Sequence, residues 1–127
     1  MRIGITGASG LIGSALTTHL QQQGHETVAF VRREPRSASE ISWQPGKDLE
    51  PGRLSGLDAI VHLAGAGVGD KRWTDSYKEV IRSSRVDGTQ TIARAMAAAD
   101  DGPRVLVSGS AIGYYGDTGD RLTDETG

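Results

Sequence analysis

The sequence contains no cysteine. This absence excludes disulfide bonds, thiolate metal ligands and cysteine nucleophiles, and it is compatible with a reducing compartment. Long apolar runs are also missing, since no stretch approaches the roughly 18 residues that a membrane-spanning helix needs. The first ten residues, MRIGITGASG, carry no basic and then apolar leader. We therefore expect a cytoplasmic protein that makes no contact with membranes.

A large excess of positive or negative charge is missing as well, because 14 basic residues nearly balance 16 acidic ones. The formal net charge is −2 at pH 7, and the one basic cluster, Arg32, Arg33 and Arg36, has no interleaved aromatic residues. Nucleic acid is therefore not an expected partner. Glycine, in contrast, is abundant: the 18 glycines are about twice the usual share, which indicates tight turns or close backbone approaches.

The apolar segments predict a parallel sheet. Near-continuous apolar runs at residues 2–6, 26–32, 58–63 and 104–108 are typical of strands covered on both faces, and residues 41–43 predict a short fifth strand. Periodic segments at 10–23 and from about 74 to 99 predict helices, whereas residues 34–56 predict mostly irregular structure. The fold class is therefore α/β, a Rossmann-like doubly wound parallel sheet with flanking helices, truncated after the fifth strand.

The apolar faces of the two predicted helices are also specified by the pattern. The first helix is expected to bury a stripe formed by Leu11, Ile12, Ala15, Leu16 and Leu20. The second is expected to bury a stripe formed by Tyr77, Val80, Ile81, Ile92, Ala95 and Met96, with the small residues Ser84 and Gly88 on the same face.

A glycine-rich turn is the strongest functional signal. Gly7, Gly10 and Gly13 in ITGASGLIGSAL follow the first predicted strand and open the first helix, which is the context of a dinucleotide fingerprint. The amide groups at the helix N-terminus would bind the phosphates. The predicted cofactor-binding residues of this turn are Gly7, Ser9, Gly10, Leu11, Ile12 and Gly13. The alternative is a strand-to-helix turn that binds nothing.

This spacing resembles the extended short-chain dehydrogenase/reductase family of NAD(P)-dependent epimerases and dehydratases. The stretches DAIVHLAGAG, SRVDGTQTIARAM and VLVSGSAIGYYG look like three further segments of that family, closest to a poorly characterised epimerase-like subgroup. The resemblance implies that Leu63, Ala64 and Gly65 line the cofactor. Arg85, where the family often has asparagine, is expected to reach a cofactor phosphate or a substrate anion, or to cap the sheet edge. His62 is expected to be a hydrogen-bonded core residue.

The residues after the second strand favour NADP(H) over NAD(H). NAD specificity needs an acceptor for the ribose 2′-hydroxyl at this place, but the chain has Arg32 and Arg33, with Glu34 behind them. A guanidinium would instead bind a 2′-phosphate, and Arg32 is the better candidate. The alternative is that both arginines are solvated and Glu34 binds the ribose.

The catalytic chemistry is only partly present in the sequence. The resemblance assigns Ser110 as the catalytic serine, and it implies a tyrosine followed four residues later by a lysine. None of Tyr77, Tyr114 or Tyr115 has that lysine, so the last two are interpreted as pocket walls.

We therefore expect residues 1–127 to be the N-terminal NAD(P)-binding part of a longer protein, without its C-terminal substrate-binding portion and inactive alone. The expected function is hydride transfer on a sugar nucleotide or another carbonyl or hydroxyl substrate. The alternative is a non-catalytic NADP(H) sensor or protein-interaction module. An exposed sheet edge would favour a homodimer.

Overall fold

The structure is a computed structural model that describes residues 1–67, 69–109, 117 and 119–126. The described elements run in the order β1 (Arg2–Thr6), α1 (Leu11–Gln22), β2 (Glu26–Val31), β3 (Glu40–Ser42), a 3-10 helix (Pro51–Leu54), β4 (Ala59–His62), α2 (Asp75–Ala98) and β5 (Val105–Ser108). Ser110, Tyr114 and Tyr115, which the sequence singled out, lie outside the described residues.

Within these residues, five strands form one parallel sheet in the order β3-β2-β1-β4-β5. β1 is central: Ile3 pairs with Thr27 of β2 on one side and with Ala59 of β4 on the other. The sheet with flanking helices confirms the predicted fold class. The short strand predicted at 41–43 is present one residue earlier, and α2 begins at Asp75 because the hydroxyl of Thr74 accepts a hydrogen bond from the amide of Tyr77.

The face of the sheet that α2 covers holds the main hydrophobic core. Buried residues from the strands, from the segment between β3 and β4, and from the C-terminal half of α2 pack together there: Val28, Phe30, Trp43, Leu49, Leu54, Leu57, Ile60, Ile92 and Ala95. The edge of the Trp43 ring lies against Phe30, with the ring centroids 6.3 Å apart. The segment that the sequence predicts as mostly irregular therefore contributes core residues through its apolar side chains.

The opposite face is covered less completely. Of the twelve residues of α1, all of them described, only Gly13 is buried, and Leu11 and Ile12 are 86% and 64% exposed. The predicted stripe of α1 is therefore wrong for Leu11, Ile12 and Ala15, which are exposed, while Leu16 and Leu20 are half-buried. α1 packs mainly against β1 and β2, and at the far edge Val105 and Val107 are 50% and 54% exposed.

The predicted stripe of α2 is correct for its C-terminal half. Ile92 and Ala95 are buried there, together with Gly88 and Thr91, whereas Val80 in the N-terminal half is 47% exposed. The N-terminal half of α2 extends beyond the sheet, beside the loop that follows β4. In the described part of the chain, no helix is long and apolar enough to cross a membrane.

Candidate functional site

Two loops meet where the chain reverses its direction of travel across the sheet. β1 and β4 are neighbours, but β1 leads through α1 to β2 on one side and β4 leads through α2 to β5 on the other. The loops at their carboxyl ends are residues 7–13, the glycine loop, and residues 63–67, the β4 loop. In open α/β sheets this point forms the crevice where ligands bind.

The glycine loop is shaped by the absence of side chains. Gly7 has φ +68°, which glycine adopts without strain, and a Cβ there would lie 3.0 Å from the carbonyl carbon of Leu63. A Cβ on Gly13 would overlap with the carbonyl oxygen of Gly7 and lie 2.8 Å from the Cα of Ala8. Gly7 therefore lets the two loops touch, and Gly13 lets the first turn of α1 pack against the loop.

The glycine loop ends in a row of amide groups that are free to bind an anion. The first amide bonded within the helix is that of Ser14, which donates to the Gly10 carbonyl at 2.9 Å. Among the described residues, the amides of Leu11, Ile12 and Gly13 have no acceptor. No acidic residue lies in the first turn, and no side chain caps it. The positive end of the helix dipole and these amides therefore favour an anion such as a phosphate group.

Gly10 leaves room for such an anion. Among the described residues, a Cβ on Gly10 would touch only the Gly7 carbonyl oxygen, at 3.4 Å. The residues present therefore fit a phosphate group that approaches the backbone closely.

A buried hydroxyl holds the first half of the β4 loop. Oγ1 of Thr6 accepts hydrogen bonds from the amides of Leu63, at 2.9 Å, and Ala64, at 3.1 Å, and it lies 2.7 Å from Nδ1 of His62. Because both hydroxyl lone pairs are used, the Thr6 proton is donated to His62, whose Nδ1 must be unprotonated. Burial lowers the pKa of His62, in agreement with a neutral ring. The prediction that His62 is a hydrogen-bonded core residue is confirmed.

Three residues of α2 hold the second half of the β4 loop. Oγ of Ser84 accepts a hydrogen bond from the Ala66 amide at 3.0 Å, and Nη1 of Arg85 donates to the Ala66 carbonyl at 2.9 Å. The hydroxyl of Tyr77 donates to the carbonyl of Gly67. Side chains from two other elements therefore fix the backbone of the β4 loop.

The two arginines after β2 have different surroundings. Arg33 forms a bidentate ion pair with Glu40, at 2.9 and 2.7 Å. The hydrogen bonds from the Arg33 side chain and from the Arg36 amide hold the pKa of the Glu40 carboxyl at about 2. Arg32, in contrast, has no hydrogen-bond or ion-pair partner in the described ranges. It lines a cleft of about 610 Å³ together with Gln44, Pro45, Val80, Ser83, Ser84 and Asp87.

The structure brings most of the residues singled out from the sequence to one edge of the sheet. The glycine loop and Leu63, Ala64 and Gly65 lie together, and Arg85 lies over Gly65. Sequence reasoning missed Thr6 and Tyr77 as loop-holding residues. A threonine directly before the first glycine was a visible signal for the first, whereas nothing in the local pattern marked Tyr77. Residues 1–67, 69–109, 117 and 119–126 contain no group of three or more His, Asp or Glu that would hold a metal ion.

The sheet order, the glycine loop and its free amides define a Rossmann-type nucleotide-binding fold. The model of the NAD dependent epimerase/dehydratase family matches residues 3–127, and the chain belongs to this family. It is 40% identical over 124 residues to the epimerase family protein Mb2239 of Mycobacterium bovis, covering 97% of this chain and 40% of that protein. The chain thus spans about two fifths of the length of the curated relatives that it matches.

Three solved structures are similar to this chain in both sequence and fold. A nucleoside-diphosphate sugar epimerase from Corynebacterium glutamicum is 40% identical, with a TM-score of 0.76 over 95% of this chain and 25% of that one. Human epimerase family protein SDR39U1, solved with NADPH, is 29% identical, with a TM-score of 0.74 over 91% and 38%. MoeE5, solved with UDP-glucose and NAD, is 29% identical, with a TM-score of 0.75 over 98% and 41%.

Proposed function

We propose that this chain is the cofactor-binding part of an epimerase/dehydratase-like oxidoreductase that uses NADP(H) in preference to NAD(H). The observation that carries the proposal is the row of free amides on Leu11, Ile12 and Gly13, placed at the switch point of the sheet. When bound, the cofactor supplies the hydride acceptor or donor of the reaction.

The two loops would hold the cofactor from both sides of the crevice. The pyrophosphate would lie on the glycine loop, on the free amides of Leu11, Ile12 and Gly13 and close to the open face of Gly10. Leu63, Ala64 and Gly65 would line the other wall. Thr6 fixes the backbone of that wall before any ligand arrives, so little ordering is needed on binding.

Arg32 is the proposed ligand of the 2′-phosphate. Arg32 lines an open cleft and is not committed to another described residue, whereas the ion pair with Glu40 already occupies Arg33. Hydrogen bonds to a charged group contribute roughly 1.5–3 kcal/mol, which corresponds to about ten- to a hundredfold discrimination. The NADPH in the SDR39U1 structure supports this choice, while the NAD in the MoeE5 structure shows that members of this fold group differ.

The proposed substrate is a sugar nucleotide or another carbonyl or hydroxyl compound. The name of the Corynebacterium relative and the UDP-glucose bound to MoeE5 support this class. Ser110 is the proposed donor of a hydrogen bond to the reacting oxygen, a role that follows from the family resemblance.

Titration with NADPH and with NADH, followed by nicotinamide fluorescence, tests the cofactor proposal. NADPH should bind at least about tenfold tighter, and Arg32→Ala should remove most of that preference. Arg33→Ala is the matched control, because it removes the same charge one residue away and should retain a larger part of the preference. Equal affinity for both cofactors would assign the ribose to Glu34. Binding of neither would overturn the proposal for this chain.

A further inference from the structure

We propose that Arg85 is a positioning residue, which clips the β4 loop to α2 through its guanidinium instead of binding a cofactor phosphate. The clip consists of Tyr77, Ser84 and Arg85. It holds the carbonyl of Gly67 and both the amide and the carbonyl of Ala66. Only the expected effect on cofactor affinity rests on the proposed function.

The geometry of the guanidinium carries this inference. Nη1 of Arg85 donates to two carbonyl oxygens, that of Ala66 at 2.9 Å and that of Ile81, one turn earlier in α2, at 3.1 Å. Nη1 carries two hydrogens, and this arrangement uses both. The side chain therefore connects the Ile81 carbonyl of α2 to the Ala66 carbonyl of the β4 loop.

The contact with Gly65 gives independent support. A Cβ at position 65 would lie 3.1 Å from Cζ and 3.2 Å from Nη1 of Arg85, closer than most contacts of real Cβ atoms. The guanidinium thus packs directly on the backbone of the β4 loop at a place where any side chain would push it away. Gly65 and Arg85 form a matched pair, one supplying the space and the other filling it.

Ser84 completes the arrangement from the neighbouring position of α2. Its Oγ accepts from the Ala66 amide and donates to the Ile81 carbonyl at 3.1 Å. Ser84 and Arg85 therefore share the Ile81 carbonyl as an acceptor, and they bind the peptide groups on either side of Ala66. Two side chains that share a partner stabilise a single loop conformation more than either alone. This loop forms one wall of the crevice, so its conformation sets the shape of the site.

The decisive experiment compares Arg85→Gln with Arg82→Gln in the 127-residue chain. Arg82 lies on the same helix and is exposed, with an ion pair only to Glu79 at 3.5 Å, so its substitution removes the same charge without touching the loop. Hydrogen exchange without cofactor should speed up at the Ala66 amide, which is bonded to Ser84, by roughly five- to tenfold in Arg85→Gln. Exchange in Arg82→Gln should equal that of the unmodified chain.

Cofactor titration separates positioning from direct binding. A clip predicts a loss of NADPH affinity, of roughly three- to tenfold, that is the same at low salt and at about 1 M salt, where the Debye length falls to about 3 Å. Arg85→Lys, which keeps the charge but not the planar fork, should recover only part of the exchange protection. If Arg85→Gln does not fold, the same exchange comparison on Arg85→Lys decides the matter.

Two results would overturn the clip. Unchanged exchange at the Ala66 amide in Arg85→Gln would show that the loop does not depend on the guanidinium. An affinity loss that shrinks at high salt and is fully restored by Arg85→Lys, with unchanged exchange, would identify a phosphate ligand. A chain that binds neither cofactor counts against the proposed function alone, because the exchange comparison still decides whether the clip exists.

Discussion

The two loops at the switch point are built by opposite means. The glycine loop has its shape because atoms are missing: Gly7 adopts a positive φ, and Gly13 leaves space for the Gly7 carbonyl. The β4 loop has its shape because side chains from elsewhere bind its backbone, among them Thr6, which is 57 residues away from Leu63 in sequence. One loop is therefore sensitive to added atoms and the other to removed ones.

Because they are built differently, the two loops also have different roles in binding a ligand. The glycine loop offers free amides that no described side chain caps, so it acts through its backbone. In the β4 loop, the amides of Leu63, Ala64 and Ala66 are already bonded to hydroxyl groups. We infer that the first loop provides the polar contacts with a ligand and that the second provides a rigid wall.

Adding a side chain to the glycine loop should have the largest effect. Gly13→Val places atoms on the Gly7 carbonyl and beside the Cα of Ala8, so the free energy of unfolding should fall by about 3 kcal/mol or more. Chemical denaturation measures this change. Gly10→Ala is the control, because its Cβ would meet only one atom at 3.4 Å, and it should cost less than about 1 kcal/mol.

If Gly13→Val and Gly10→Ala are equally stable, steric exclusion does not shape this loop. Gly10→Ala should nevertheless weaken cofactor binding, since its methyl group projects into the space where the phosphate would approach. Loss of binding without loss of stability in Gly10→Ala would separate the two roles of the glycines.

Removing the buried hydroxyl should have the next largest effect. Thr6→Val keeps the shape of the side chain but removes the hydroxyl partner of the Ala64 amide and of Nδ1 of His62, while the Leu63 amide keeps only its 3.3 Å bond to the Thr6 carbonyl. Each unsatisfied buried group costs about 1–3 kcal/mol, and with partial access of water we expect a total of about 2–4 kcal/mol. Denaturation should show Thr6→Ser close to the unmodified chain. Equal losses for both variants would assign the effect to packing.

Removing a hydroxyl at the outer end of the β4 loop should cost less. Ser84→Ala leaves the Ala66 amide without its acceptor, and because this site is only half-buried we expect a loss of about 1 kcal/mol. Ser83→Ala is the matched control, since the Ser83 hydroxyl donates only to the Val80 carbonyl of its own helix, at 3.5 Å. A loss in Ser83→Ala equal to that in Ser84→Ala would show that the change reports helix stability rather than the loop.

The same contrast explains which features were predictable from the sequence. The parallel sheet and the glycine loop follow from apolar runs and glycine spacing, which are local signals. The roles of Thr6 and Tyr77 depend on which residues the fold brings beside the β4 loop. The place of Thr6 before Gly7 was a local signal for the first, whereas no local pattern encodes the second. The α1 stripe failed for a related reason: Leu11 and Ile12 lie at the carboxyl edge of the sheet, where the described residues provide little to pack against.

Core residues of the segment between β3 and β4 were missed because they lack a period. Trp43, Leu49 and Leu54 are buried against α2, yet they come from a strand end, a loop and a 3-10 helix with no common repeat. Hydrophobic periodicity identifies regular elements, but it gives no signal where an irregular segment covers a sheet face.

A fall in pH should disturb the β4 loop and leave the glycine loop unchanged. Burial keeps the folded pKa of His62 below its ordinary value of 6.5. The folded state therefore binds the proton less well than the unfolded state, so the stability due to neutral His62 is present above pH 6.5 and is lost as pH falls toward the folded pKa. Protonated Nδ1 can no longer accept from Thr6, and the bonds from Thr6 to the β4 loop must rearrange.

Hydrogen exchange between pH 7 and pH 5, corrected for intrinsic rates, measures this smallest effect. The amides of Leu63 and Ala64 should lose protection as pH falls, while residues 7–13, which contain no titratable side chain, should not. The ion pair of Glu40 does not interfere, because the pKa of that carboxyl is about 2. His62→Asn places an acceptor near the position of Nδ1 without a titratable ring, so it should keep the loop protected and abolish the pH dependence. An equal loss in both loops would mean that the whole sheet edge opens together and that the two loops are not independent.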